Sequence, residues 1–305
     1  MLMVTDIHFN DEERPTSGAG TSTVKVLGIN VTPELLLHWT SWFAPQSQPL
    51  LIPRGHRLES IGEPFDPQRN PEVRDTFEIY GEDERILHRS VDSKTFLASL
   101  RNDRAILIRL QVELGRSVVP AIRSWPHLSS SDVIAAGDGR RFLWWPHLIK
   151  GHEKEVLIRY VEEGRLPSRH REVPDNVWND LKFTLPGARS IAGSFPLASG
   201  PNCFGTVMAA AGVDGAAQKW TLREPFEEWL AQHSVSGGSD VKVGTVLIWR
   251  SESGLVEHAA VTLGGGWALH KPSQGWMSPV KVLHIPEVIR SARSNGRRLT
   301  RRRLA

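Results

Sequence analysis

The feature that most restricts the fold is the order of segments in the last third of the chain. Two helix-like segments come first. "NCFGTVMAAAG" is small and apolar and ends at Gly212, and "REPFEEWLAQHS" carries Pro225 in its first turn with Phe226, Trp229 and Leu230 on one side. Four short strand-like runs follow: "GTVLIWR", "EHAAVTLGG", "GWALHKP" and "PVKVLHI", separated by Gly, Ser and Pro. Strands this short with tight connections pair antiparallel, because a parallel pair needs a long crossover. Helices segregated from a small antiparallel sheet make an α+β arrangement.

The upstream chain reads less sharply. Residues 1–23 form a flexible leader, ending in the small polar run "TSGAGTST". "VKVLGINVT" is strand-like, and "PELLLHWTSWF" is a helix opened by Thr32 and Pro33. Residues 44–73, rich in Pro, Arg and Gly, read as a long irregular connection and a candidate binding loop. "DTFEIYG" and "AILIRLQVEL" carry strand-like runs, "SKTFLASLRND" between them is helical in period, and residues 151–163 form a further helix. The Pro/Arg/Asp-rich stretch 164–190 sets a boundary near 185. Residues 24–185 are then a mixed α/β region with no assignable motif, residues 186–290 a second domain and residues 291–305 a basic tail.

Composition bounds the class. With 40% hydrophobic residues and 11 tryptophans the chain has ample material for a core. A single cysteine excludes an intramolecular disulfide and favours a reducing compartment. The first fifteen residues show no basic n-region followed by an apolar h-region, and no apolar run approaches the ~20 residues of a membrane span. A cytoplasmic protein without a membrane partner is expected. The excess positive charge collects in "RSARSNGRRLTRRRLA", which reads as a solvated tail, with nucleic-acid binding as the alternative.

Chemistry concentrates on the lone cysteine. Cys203 follows "SGPN" at a predicted helix start, where the partial positive charge of the helix favours thiolate. The competing reading is a small buried hydrophobe. His258 opens one strand-like run and His270 closes the next. If those runs pair through "GGG", two imidazoles stand at neighbouring strand ends and supply a base and an orienting group. The same three residues could also ligate zinc, but the helix-start thiol favours the triad, so no metal and no cofactor are expected. Asn202 and Phe204 beside the thiol, and Trp267 and Trp276 beside His270, are candidate substrate-binding residues. The two tryptophans are weighed against a place in the core, and Lys271 against a solvated lysine.

Four segments in order, "NCFGTVMAAAG", "VKVGTVLIWR", "EHAAVTLGGGWALH" and "SPVKVLHI", resemble the NlpC-type papain-like cysteine peptidases over residues 195–288. The resemblance implies a papain-like domain with Cys203 as nucleophile, His258 as general base and His270 as orienting residue. The flanks differ from the family's usual Asp before and Ser-Gly after the cysteine: here they are Asn202 and Phe204-Gly205. The implied activity is that of a cysteine amidohydrolase, peptidase or acyltransferase working through a thioester. Its substrate would be a small molecule or short peptide: a small peptide, a peptidoglycan fragment or a specialised metabolite. The rival is a non-catalytic papain-like binding protein.

Overall fold

The computed structural model describes residues 23–81, 83–128 and 131–305; the leader, apart from its last residue, lies outside them. The chain is α+β, and its strands pair antiparallel throughout the described residues.

The first half begins with a hairpin, Val24–Val26 and Ile29–Val31, turned by Leu27 and Gly28 at positive φ. Leu27 is buried there, and its N–H donates to Glu162 Oε1 at 2.8 Å, tying the hairpin to the helix Glu153–Glu162. Thr32 caps the next helix, Pro33–Phe43, by accepting the Leu35 N–H. The expected irregular connection contains a strand, Ser47–Pro53, buried over most of its length, which pairs with Ile86–Asp92. "AILIRLQVEL" is not a strand: it lies in the helix Arg101–Glu113. Its branched residues suit a sheet, but Leu107, Ile108 and Gln111 share one buried face. The Gln111 amide accepts from the Leu51 N–H and donates to the Leu51 carbonyl, so the helix packs along that strand. "DTFEIYG" begins inside the helix Pro71–Phe77, which Glu78 ends in the left-handed region at φ 55°.

A six-stranded sheet organises the second half. Its strands run 281–284, 267–270, 256–264, 243–250, 298–304, 234–236 across the sheet. One face, with Val246, Ile248, Val261, Leu269 and Val282, packs against Cys203–Ala210 and Arg223–His233. The other, with Leu247, Trp249, Ala260, Ala268 and Leu283, packs against Ile285–Ser291. Both faces are covered, so most positions of the central strands are apolar rather than alternating.

Two expectations for domain limits are corrected. Val173, Val177, Trp178, Leu181 and Leu185 already belong to the second core, so the division between cores falls in 162–172 rather than near 185. The basic tail is not a solvated tail: Arg298–Leu304 is an internal strand of the sheet. Its arginines fit there because their stems lie along the sheet while their heads find partners. Arg301 pairs with Asp240, and Arg302 donates to Ser234 Oγ and to its carbonyl.

The halves interlock. Trp276, from the second half, is fully buried among Trp39, Trp42 and Tyr160 of the first, and its Nε1–H donates to Thr76 Oγ1 at 2.9 Å.

Candidate active site

Cys203 occupies the first position of its helix. Asn202, the N-cap, accepts the Gly205 N–H at 3.1 Å and donates through Nδ2 to the Thr221 carbonyl at 2.7 Å. Gly205 is required for closeness, since a Cβ there would stand 2.3 Å from the Ala216 carbonyl oxygen. That contact accounts for a glycine in the first turn of the helix.

The thiol is almost fully buried, and desolvation pushes it up to about 11. Hydrogen bonding from the backbone N–H groups of Ala259, Phe204 and Cys203 itself opposes that rise, as does the nearby Lys271 charge. Ala259 adjoins His258, and Lys271 adjoins His270. The sulfur therefore meets the sheet where the two histidine strands lie side by side.

The histidines form a chain of their own. A bulge in the pairing between 243–250 and 256–264 falls immediately before His258, a device that re-aims side chains. His258 pairs in register with Trp249 and His270 with Ala260, so strand alternation sets both on the face covered by Ile285–Ser291. His258 Nε2 lies 3.2 Å from His270 Nδ1, and His270 Nε2 lies 3.2 Å from Ser291 Oγ, which itself donates to the Val288 carbonyl. The single hydroxyl proton is thereby used, so Ser291 accepts from His270 Nε2–H. His270 Nδ1 then accepts from His258 Nε2–H, which leaves the lone pair of His258 on Nδ1. Burial depresses both rings, His258 to about 4 with help from the Arg297 charge, and His270 well below its ordinary value. Among the described residues no hydrogen bond joins the thiol to either imidazole. At neutral pH all three groups rest uncharged.

Each of the four residues expected to line a substrate has a structural contact in the fold. Asn202 is the N-cap, Phe204 stacks on Phe226 at 4.6 Å, Trp267 stacks on His284 at 4.0 Å, and Trp276 sits in the first core. Lys271 is not solvated: it is buried, donates to the Ser278 carbonyl, and is lowered by desolvation to about 7 against the opposing pull of Cys203 and Asp75.

Polar groups that sequence reasoning missed come from the first half. The helix Pro71–Phe77 meets the loop before the cysteine, with Glu72 accepting the Ser199 N–H at 3.2 Å. Arg74 and Asp75 on it are buried and joined through Nε and Oδ1 at 3.0 Å, while Arg74 Nη2 and Asp75 Oδ2 have no hydrogen-bond partner among the described residues. The Arg74 guanidinium lies 5.6 Å from the Trp220 ring and 5.9 Å from that of Tyr80. Tyr80 is pushed above its ordinary range by burial and by Asp75. No spacing rule links residues 74–80 to Cys203; only the fold brings them together.

Comparisons with family models, with curated proteins and with solved structures found no match for this chain.

Proposed function

We propose that the protein is a papain-like cysteine hydrolase or acyltransferase acting on a small peptide or amino-acid-derived metabolite. The observation that carries this reading is the proton arrangement of Ser291, His270 and His258. It leaves an unprotonated Nδ1 on the residue preceding Ala259, whose backbone N–H helps hold down the Cys203 thiol's rise.

In the reaction the Sγ proton passes to His258 Nδ1 through a bridging water or substrate group, because the resting ring lies on the sheet face turned from the cysteine helix, and the sulfur bonds to the substrate carbonyl carbon. The oxyanion lies by the first-turn N–H groups of Cys203 and Phe204. His258 returns the proton to the leaving nitrogen or oxygen, whose bond to carbon breaks and leaves a thioester. Water or an amine then attacks the thioester and loses its proton to His258, and the thiol is restored. His270, held by Ser291, orients the base. The free Nη2 of Arg74 and Oδ2 of Asp75 suit a substrate with both an acceptor and a donor, as an amino-acid-like group has.

A second reading, a binding protein that keeps the shape without the chemistry, is favoured by the buried neutral thiol. Alkylation by iodoacetamide across pH separates the two, because all label falls on Cys203. Labelling at neutral pH that slows at least about tenfold in His258→Ala supports the enzyme. Labelling that appears only at strongly alkaline pH or on unfolding, indifferent to His258, supports the binding protein.

A further inference from the structure

We propose a second, separate site: His127, His152 and Glu155 bind a divalent transition-metal ion of the zinc class. The three residues come from two elements that meet at the surface of the first half. His127 lies in the short turn Pro126–Leu128, and His152 and Glu155 lie at the start of Glu153–Glu162. His127 Nε2 is 3.1 Å from Glu155 Oε1, and His152 Nδ1 is 3.9 Å from Glu155 Oε2. One ligand atom from each residue lies within 4.8 Å of the others. Ligand atoms around tetrahedral zinc, at bonds of about 2.0–2.1 Å, stand ~3.3 Å apart. The group therefore needs to close by ~1.5 Å at most on that geometry. All three side chains are 40–54% exposed, so rotation achieves this without repacking a core.

The local backbone supplies an independent argument. His152 is the N-cap of its helix, a position normally held by Ser, Thr, Asp or Asn, yet its side chain makes no capping bond. Glu155 stands at the third helical position, where a carboxylate ordinarily reaches back to the N-cap N–H. Here the His152 N–H goes to the Ile149 carbonyl, and the Glu155 carboxylate turns to the two imidazoles. Both side chains are diverted from capping to a shared point. The turn that presents His127 is held in place by Trp125, which packs edge-on against Trp144 at 5.0 Å and lies under the Arg159 guanidinium at 4.4 Å.

Two imidazoles and one carboxylate match zinc, cobalt, nickel or iron rather than the all-oxygen shells of calcium and magnesium. Three protein ligands leave a fourth position to water. An ion here would clamp the turn Pro126–Leu128 to the helix Glu153–Glu162.

The test uses Co²⁺ as the probe on the full chain, with equilibrium dialysis for stoichiometry and visible absorption for ligand type. Wild type, His127→Ala, His152→Ala and Cys203→Ser are compared, with circular dichroism to show that each is folded. One Co²⁺ per chain is expected, with d–d bands but no thiolate-to-cobalt band. Affinity should fall at least about tenfold in each histidine variant and stay unchanged in Cys203→Ser. No binding at this probe, or binding indifferent to both histidine variants, overturns the proposal. So does a thiolate band that vanishes in Cys203→Ser, which would put the ion at the cysteine instead.

Discussion

The buried histidine pair makes acid stability a direct reading of the site. His258 is 6% exposed, and burial holds it near 4, against about 6.5 for the same ring in the unfolded chain. Between those values the unfolded state binds the extra proton. Stability therefore rises with pH through this window and is lost as pH falls from about 6.5 toward 4. At about 1.4 kcal/mol per pH unit, His258 alone takes away about 2 kcal/mol between pH 7 and roughly pH 4.5. The perturbation is His258→Gln, whose amide N–H can still donate to His270 Nδ1 but does not titrate. Urea unfolding of both proteins at the two pH values gives the comparison. Protonation of other groups acts on both proteins, so the difference between their acid losses isolates the ring. The variant should lose about 2 kcal/mol less than wild type. Equal losses, within about 0.5 kcal/mol, would refute the reasoning: either His258 is not desolvated as described, or the pair takes a proton without unfolding.

Three further outcomes follow from other parts of the fold. Asn202→Ala removes the cap of the cysteine helix and leaves the Thr221 carbonyl without its donor; a loss of about 1–2 kcal/mol in chemical denaturation is expected. Trp276→Phe keeps an aromatic ring in the first core but abandons the bond to Thr76, at a cost of about 2 kcal/mol, with lowered hydrogen-exchange protection in both halves. Removing residues 298–305 takes out a strand that bonds to neighbours on both sides. The shortened chain should lose near-ultraviolet circular dichroism and cooperative unfolding, and a wild-type urea midpoint would contradict the placement of that strand.

Where one periodicity dominated, the fold was legible. The four strand-like runs and two helices of the last third stand where their patterns put them, because turn residues bracket each run, Arg223–His233 has one apolar face and Cys203–Ala210 is small and apolar nearly throughout. Position 101–113 misled because its branched residues suit a strand. The outcome was decided by Gln111 and its two bonds to Leu51, a partner sixty residues away. Arg298–Leu304 was illegible for a different reason. A strand of arginines looks solvated until Asp240 and Ser234 are brought beside it. At the candidate site, Cys203 and the two histidines could be named from local pattern and the family resemblance. Arg74, Asp75 and Ser291 could not, since their relevance is created by packing between distant segments. Lys271 adjoined a named residue and was still misread, because burial of a lysine leaves no mark in sequence.

The tryptophan that joins the halves bears on how the chain is made. Synthesis runs from the amino terminus, so the aromatic cluster of Trp39, Trp42 and Tyr160 emerges from the ribosome long before Trp276 can fill it. Until then the first core has a cavity the size of an indole, and the second lacks the strand Arg298–Leu304 from the interior of its sheet. Neither half can complete its native packing until Trp276 and the strand Arg298–Leu304 have both left the ribosome. Completion of the first core is thereby tied to emergence of the second half, and the two close together.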